Sequence, residues 1–485
     1  MVPRIEIKDL QSQGLLGFFP QKTTFEPLLP RKYTFRENGH RVVPPEKTIQ
    51  RVKSILMHWS IRFSSRLVRS ELGEGLNECF FVHKVSSDCL YDNFGKNYAL
   101  GKGLTCRQSL ASGFCELIER FSALPRPEDK FINLSTKKME KKGKRILHPQ
   151  SMGLPKENHI VMKGLDPFNE EMPIDWVAGY HLIHEHPILI PIAYSHLFSR
   201  DEGHSPNRLV EDRPNGLAAG NCMEEAIFQG LLEVVERDAQ AIFVWNQLPM
   251  PEIDLNSLPS EDRPLQKALQ TVQRSGIRLI LKDITSDTKI PTIYAFGIDD
   301  EGKGPAFQWG VGAHLDPGIA LSRALTELIQ VRVMFMKFMK AFKQNRTRVD
   351  SQRLLSDPKE AYRYLGFCYR DSWDRVRYIT DAQKKISFKE IPNLSNPDIL
   401  TEIKCCLKHI TEAGIRDVIA VNLTRDGLDF PVVRILIPGM EFIPWADYNG
   451  KNPEIRRLVT VPQKLGYRPS VDYAFGGGKE SNFLL

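Results

Sequence analysis

The sequence predicts an α+β fold of layered helices and sheets, and three observations predict it. Short β-branched runs bounded by Pro, Gly or Asp recur at 159–163, 173–180, 187–193, 277–283, 291–298, 417–423 and 431–437. Segments with a helical apolar period fall between them, a mixture that packs as layers. One helix–strand–turn–strand unit is also written twice. Gly276-Ile277-Arg278 leads to Asp283-Ile284-Thr285-Ser286-Asp287 and Pro291-Thr292-Ile293; Gly414-Ile415-Arg416 leads to Asn422-Leu423-Thr424-Arg425-Asp426 and Pro431-Val432-Val433. A repeated unit implies one architecture laid down twice.

Along the chain, residues 1 to about 40 are rich in Pro, Gly, Gln and Phe without a clear period and read as an irregular arm. Pro44-Pro45-Glu46-Lys47 then opens a helix whose apolar stripe is Ile49, Val52, Ile55 and Leu56. The basic run 135–145 reads as a solvated loop. Three regions follow: an N-terminal arm and helical/strand segment over 1–90, a central domain over 91–445, and a C-terminal tail over 446–485. Gly476-Gly477-Gly478-Lys479 in that tail has no strand before it and reads as flexible, not as a phosphate loop.

Composition narrows the function. The chain has 485 residues, 41% hydrophobic and 26% charged, enough to bury a large core without long disorder. A net charge of +7 is modest for this length, and no basic helix is interleaved with aromatics, so nucleic acid is not the favoured partner. Eight cysteines without a Cys-x-x-Cys pair exclude a zinc ribbon and fit a reducing compartment. The N-terminus carries early acids and no apolar core run, unlike a signal peptide. The longest apolar stretch, 187–194, is too short to span a bilayer, so a cytoplasmic location is expected.

The chemistry lies in a second recurrence. Gly101-Lys102-Gly103 precedes a helical segment with Ser112, Glu116, Glu119 and Arg120. Gly216 to Asn221 precedes Glu225, Gln229, Glu233, Glu236 and Arg237. Gly310-Val311-Gly312-Ala313-His314 precedes Arg323, Glu327, Gln330 and Arg332. Steps of three and four put each polar set on one helical face. The intervening positions are apolar, among them Phe114, Leu117, Ile118, Leu231, Leu232, Val235, Leu325, Leu328 and Ile329. A lone Glu-x-x-Glu-Arg is most often a salt-bridged surface helix. Three copies on apolar helices predict instead that the polar faces line one cleft. Converging carboxylates in a site of reduced dielectric need cations. Hard oxygen ligands that leave room for water suit Mg²⁺ held together with substrate phosphates. Gly loops at helix N-termini would supply backbone donors, and Lys102 and Arg323 charge partners, for a polyphosphate.

Other constellations carry less. His181, His184 and His186 border a turn and read as its rim, not as a metal site. Cys106, Cys115 and Cys222 fall near the proposed cleft and read as small apolar packing. No Gly-x-Ser-x-Gly elbow supports a hydrolase triad.

The ordered strings Gly101-Lys102-Gly103-Leu104-Thr105, Ser112-x3-Glu116-x2-Glu119-Arg120, Asn215 to Asn221, Glu233-Val234-Val235-Glu236-Arg237-Asp238-Ala239 and Arg323-Ala324-Leu325-Thr326-Glu327-x2-Gln330 together resemble the YcaO family. Pro431 to Arg434 and Pro438-Gly439-Met440-Glu441 resemble its later strand and loop, so the resemblance spans about 95–445. It implies an α+β fold with three carboxylate-bearing helices around one ATP cleft. It also implies ATP-dependent activation of a peptide backbone amide: a nucleophile adds to the carbonyl, the oxyanion is phosphorylated and phosphate leaves. A side-chain nucleophile gives an azoline, external sulfide a thioamide. The alternative is a non-catalytic accessory protein of the same fold. Carried over by position, Glu116, Glu119, Asn221, Glu225, Glu233, Glu236 and Glu327 resemble the Mg²⁺/ATP set, with the six glutamates as metal ligands. Arg237 and Arg323 resemble its phosphate or acid-orienting partners. Lys102, Ser112 and Gln330 complete the cofactor-binding set, and Lys47 and Ser54, seven apart, match a nucleotide-contacting pair of some relatives. The chain ends Lys-Glu-Ser-Asn-Phe-Leu-Leu, where azoline-forming members often carry Pro-x-Pro-x-Pro, which tilts the expectation away from rings. The short arm leaves no room for a leader-binding winged helix. The resemblance therefore implies a peptide or protein substrate presented by a TfuA-like or ubiquitin-activating-enzyme-like partner, and leaves a homodimer open.

Overall fold

Two of the three carboxylate helices begin at side-chain caps, which fix where they enter the core. The computed structural model describes residues 27–35, 39–58, 61–68, 79–87, 98–125, 131–155, 160, 164–197, 208–210, 213–302, 304–343, 373–381, 384–425, 429–441 and 456–469; at 58, 61–68, 79–87, 98, 334–335, 337–343 and 373–375 it describes the backbone alone. Of the strand expected at 159–163 only Ile160 is described, in a helical conformation, and the glycine run at 476–478 lies outside the described residues.

The helices that matter here are α1 (Pro45–His58), α2 (Cys106–Ala123), α3 (Thr136–Lys141), α4 (Met223–Asn246), α5 (Arg263–Arg274), α6 (Pro317–Lys343), α7 (Trp373–Thr380), α8 (Ile399–Glu412) and α9 (Arg457–Lys464). The Thr105 side chain accepts from Gln108 N at 3.2 Å and opens α2. Asp316 Oδ1 accepts from Gly318 N at 2.8 Å at the start of α6. α4 has no side-chain cap but places Glu224 and Glu225 in its first turn, where the helix dipole favours acids, and ends at Gln247 in the left-handed region with φ 49°.

Fourteen strands form three sheets among the described residues. The first joins β1 (Ile61–Val68), β2 (Cys79–Ser87) and β3 (Tyr98–Gly101) in that order. The second has the order β4-β5-β13-β14-β7, with β6 paired to β5; its strands are β4 (Ile132–Ser135), β5 (Pro173–His181), β6 (His186–Pro191), β7 (Leu217–Ala219), β13 (Ile419–Asn422) and β14 (Val432–Leu436). The third has the order β11-β10-β9-β8-β12, built from β8 (Glu252–Ile253), β9 (Ile277–Asp283), β10 (Thr292–Asp299), β11 (Phe307–Ala313) and β12 (Lys385–Ile386). The two stretches read as helix–strand–turn–strand fold as α5-β9-β10 and α8-β13-β14, each with an antiparallel strand pair, in different sheets.

Both larger sheets are covered on both faces at their centres, which is why β10, β13 and β14 are buried almost throughout, whereas β5 alternates. In β13, Ile419 and Val421 face a core with Phe114, Leu117 and Ile118 of α2, while Ala420 faces Ile227, Leu231 and Val235 of α4. In β10, Ile293 and Ala295 pack with Leu321, Leu325 and Leu328 of α6, while Tyr294 and Phe296 pack with Ile242 and Phe243 of α4. α4 therefore crosses from one core to the other. Its 24 residues make it about 36 Å long, enough to tie both sheets together.

One expectation is corrected here. The glycines preceding the carboxylate helices are largely strand residues, not loops: Gly101 ends β3, and Gly310 and Gly312 lie inside β11. A Cβ on Gly310 would meet Ala324 O and Leu328 N; one on Gly312 would meet Ala320 O and, at 2.7 Å, Ala324 N. They are glycine because α6 lies against β11 at closest approach. The basic run also differs in form: α3 occupies its first half, with Lys137 paired to Glu171 at the surface, so its charges are solvated as expected. Part of 446–485 is folded, since α9 packs against α4.

Candidate functional site

The three carboxylate helices meet where the three sheets end. β3, β7 and β11 are each the edge strand of their sheet. An edge strand presents unpaired backbone N–H groups. Here glutamates accept them. Glu116 Oε2 of α2 accepts from Leu100 N of β3 at 2.8 Å, and Glu119 Oε1 accepts from Ala219 N of β7 at 2.8 Å. Glu233 Oε2 of α4 accepts from Gly216 N beside β7 at 3.3 Å, and Glu236 Oε2 from Ala313 N of β11 at 3.0 Å. Gly216, at φ 79°, needs its missing Cβ twice over, because a side chain would also strike Ile435 O. One helical spacing thus ties two helices to three sheet edges and converges the acids.

Cations complete the cluster. Glu327 of α6 pairs with Lys102 through Oε2 and with Arg237 through Oε1 at 3.2 Å. Glu236 pairs with Arg237 and Arg323, both at 3.3 Å. Arg323 also donates to Gln229 Oε1 at 2.9 Å. Gln330 Nε2 donates to Leu100 O, and Ser112 Oγ accepts from Lys102 N at 3.4 Å. Arg120 pairs with Glu116 on α2. The side chains of Glu236 and Glu327 are 1% and 11% exposed, while those of Glu116, Lys102, Arg237 and Arg323 are 28%, 24%, 22% and 18% exposed, so Glu236 and Glu327 form the floor and the three cations, with Glu116, the lip of a cleft.

The charges are not all compensated. Burial pushes Glu119 up to about 8, and the neighbouring Glu116 and Glu233 add to it against the opposing Ala219 N–H bond. Burial likewise pushes Glu233 up to about 7, with Glu236 adding and Arg237 opposing. Glu327 goes the other way: burial would raise it, but Arg237 and Lys102 outweigh burial and hold it down at about 2. Two carboxylates at this centre are therefore held up by burial that their neighbouring arginines do not offset, and one is held down by its cations.

The Asn221–Glu225 pair sits at the start of α4. Glu225 Oε2 accepts from Asn221 N at 2.7 Å and Nδ2 at 2.9 Å. Sequence reasoning missed what closes over it. Val42 N donates to Glu225 Oε1 at 2.6 Å, while Leu29 N and Arg31 Nε hold Glu224 at 2.7 and 2.8 Å. From α1, Thr48 Oγ1 donates to Asn221 Oδ1 at 3.0 Å and Arg51 Nη1 to Asn221 O at 2.8 Å. Lys47 and Ser54 of the same helix are exposed. Thr48 and Arg51 border the apolar stripe Ile49-Val52-Ile55, a signal that could have singled them out in place of the seven-residue spacing.

Of the remaining candidates, Cys106 departs from the reading, because it is exposed rather than packed among apolar side chains. His181 and His186 are paired across the β5–β6 hairpin, and His181 Nε2 lies 3.1 Å from Asp417 Oδ1, so the three histidines rim a turn. Burial pushes the Cys222 thiol up to about 12 and raises Cys115 as well, while Cys106 is exposed. Neither buried thiol is poised as a nucleophile.

Fold and site together define an α+β protein whose helix-borne acids line a cleft at the joint of three sheet edges. The family model described as YcaO cyclodehydratase, ATP- and Mg²⁺-binding, matches residues 100–441, and the chain belongs to the YcaO family. An uncharacterized protein of Methanothermobacter thermautotrophicus is 33% identical over 349 residues, 70% of this chain and 81% of that one. An uncharacterized protein in the tfuA 3′ region of Rhizobium leguminosarum bv. trifolii is 27% identical over 56% of this chain and 61% of its own length. The Escherichia coli ribosomal protein S12 methylthiotransferase accessory factor YcaO is 28% identical; this chain spans 47% of it. Among solved structures, a heterocyclase in complex with substrate and cofactor superposes with TM-score 0.72 at 23% identity, over 93% of this chain and 58% of that one. YcaO from Methanopyrus kandleri, bound with AMPPCP and Mg²⁺, gives 0.62 at 23% identity over 87% and 98%. These likenesses show a shared fold. No described helix is long and apolar enough to cross a membrane.

Proposed function

We propose that this chain uses ATP with Mg²⁺ to activate a backbone amide of a peptide or protein, so that the amide oxygen departs as phosphate and a nucleophile takes its place. The observation that carries this reading is the charge imbalance: Glu119 and Glu233 are held up by burial at the convergence of three acid-bearing helices, while Lys102, Arg237 and Arg323 stand at the lip. Such a floor fits Mg²⁺, and such a lip fits a polyphosphate. Glu116, Glu119, Glu225, Glu233, Glu236 and Glu327 would hold the metal. When bound, Mg²⁺ supplies neutralisation of charge during phosphoryl transfer.

The chain's own residues then bind and orient. Arg237 and Lys102 keep Glu327 ionised, and Arg237 with Arg323 holds Glu236 in place through its two ion pairs. Lys102, Arg237 and Arg323 are partly exposed and reach phosphate oxygens by small movements of long side chains. No enzyme nucleophile is required, in keeping with the raised thiols of Cys115 and Cys222. External sulfide is the nucleophile we favour, giving a thioamide. Support comes from the relative in a tfuA 3′ region, which also points to a TfuA-like partner presenting the substrate.

The test is phosphate release from ATP with Mg²⁺, peptide and sulfide. Glu233→Gln and Glu327→Gln should abolish it, with circular dichroism unchanged; unaltered rates in both would sink the proposal. Product mass separates the chemistries: oxygen-to-sulfur exchange marks a thioamide, loss of water an azoline. An accessory role is the second reading, prompted by the Escherichia coli relative's name. Calorimetry with Mg²⁺ and ATP that showed no binding heat would favour it.

A further inference from the structure

Behind the acid cluster lies a second group of potential ligands that the proposed chemistry does not use. His40 comes from the arm before α1, His314 from the turn between β11 and α6, and Glu402 from α8. All three are buried, at 8%, 2% and 0% exposure, and each offers a ligand atom within 4.8 Å of the others'. Two buried ring nitrogens there, His40 Nδ1 and His314 Nε2, have no hydrogen-bond partner among the described residues. Buried polar atoms are rarely left so, and an absent ion or water is the ordinary reason.

The geometry points to a metal site, His40–His314–Glu402, for a nitrogen-preferring divalent ion of the Zn²⁺ class, distinct from the Mg²⁺ acids. His40 Nδ1 and Glu402 Oε1 stand 3.6 Å apart, too far for a hydrogen bond. Two ligands about 2.0–2.1 Å from one tetrahedral ion stand roughly 3.3–3.4 Å apart, so the gap is that of two ligands rather than of a bonded pair. The imidazoles are edge-to-face, with centroids 5.3 Å apart and planes at 81°, so their nitrogens converge without stacking. The carboxylate is oriented from behind: Tyr33 donates to Glu402 Oε2, and Asn396 N donates to Oε1 at 2.9 Å. Such outer-shell bonds are what fix metal ligands. Two imidazoles and a carboxylate favour Zn²⁺ over Mg²⁺, which prefers an all-oxygen set.

One bond must change on loading. His314 Nδ1 accepts from Asp316 N at 2.9 Å, so Nε2 carries the ring proton. Coordination through Nε2 moves the ring proton to Nδ1 and releases the Asp316 amide. The Nε2 proton is replaced by the metal–nitrogen bond, and no redox change occurs. Asp316 begins α6, which carries Arg323 and Glu327, and His40 lies two residues from the Val42 N–H on Glu225. The ion would clasp the arm to α8 and to the entrance of the catalytic helix.

The test uses the full chain, purified without a metal-binding tag and stripped with chelator. Zn²⁺ alone is titrated against a chromophoric competitor, then Co²⁺ is added for its visible spectrum. The expected result is one tight site per chain, lost at least tenfold in affinity in His40→Ala and His314→Ala and retained in Glu327→Gln. Amide exchange at Asp316 should quicken on Zn²⁺ addition in the wild type alone. Zn²⁺ binding equal in wild type and both histidine variants, or no site tighter than micromolar in the wild type, overturns the assignment. Should His314→Ala misfold, His40→Ala, a change in the arm, decides the matter. Neither readout depends on ATP, so failure here leaves the proposed amide chemistry untouched.

Discussion

Glu119 shows how a single residue carries the linkage between protonation, metal and stability. Its carboxyl is raised to about 8 and that of Glu233 to about 7, against an ordinary value of about 4.3. A raised folded-state value means the native protein holds protons that the unfolded chain has released. Stability from these two groups is thus fully present below about pH 4.3 and lost as pH rises through 7 to 8, each unit of displacement being worth about 1.4 kcal/mol. Without Mg²⁺, the unfolding midpoint should therefore fall progressively between about pH 4.3 and about pH 8, and Glu119→Gln should flatten that slope. Binding of Mg²⁺ with ATP at pH 7 should also release protons, read as a dependence of calorimetric heat on the buffer's ionisation enthalpy. Glu327 behaves oppositely, because it is held at about 2 by Arg237 and Lys102. Glu327→Gln removes one carboxylate from between two cations, and ATP turnover should fall by at least about 100-fold, the scale of losing a preorganised electrostatic contact.

At the scale of elements, each acid depends on how closely a helix can approach a strand. Gly310 and Gly312 leave α6 resting on β11. Gly312→Val would drive a branched side chain into Ala320 O and Ala324 N, and overpacking of this kind typically costs about 1–3 kcal/mol or more. The urea midpoint should drop with an unchanged slope, and ATP turnover should drop with it, because Arg323 and Glu327 ride on the displaced helix. This element also shows what the sequence discloses. The helical spacing of Glu116/Glu119, Glu233/Glu236 and Glu327/Gln330 was legible because a buried polar face on an apolar helix is a local pattern. The strands at 277–283 and 292–299 were legible because β-branched runs end at Pro and Gly. β11 was not: Gly310-Val311-Gly312 has loop composition, and only the approach of α6, a non-local contact, makes glycine the right strand residue there. The acids' partners were hidden for the same reason. Leu100 N, Ala219 N and Ala313 N belong to edge strands whose edges exist only once the sheets are assembled. Val42 reaching Glu225 across 183 residues leaves no trace in either segment's pattern.

At the scale of the whole molecule, α4 joins two cores, and the C-terminal helix α9 clamps it at the joint. Asp238 follows Arg237 on α4 and is fully buried, and it is paired: Arg457 of α9 meets it at 2.9 and 2.7 Å and reaches Asp287 at 2.6 Å. Arg456 pairs with the buried Glu441 at 2.9 Å, whose own N–H donates to Asp238 at 2.8 Å. Burial raises Asp238 despite Arg457, so the carboxylate is costly in its surroundings and depends on its guanidinium. A buried ion pair adds little net stability over an apolar pair, but removing one partner strands the other. Arg457→Met should accordingly destabilise by about 3–5 kcal/mol. The double variant Asp238→Asn with Arg457→Met should recover most of that loss, because no full charge is then left alone. The functional readout separates clamp from ballast. If α9 holds α4 in register, Arg457→Met should raise KM for ATP through Arg237 and Glu236, one and two residues from Asp238. The double variant should restore stability before it restores KM. Denaturant midpoints and ATP kinetics on the two variants decide it, and equal KM values in wild type and Arg457→Met would show that the clamp serves folding alone.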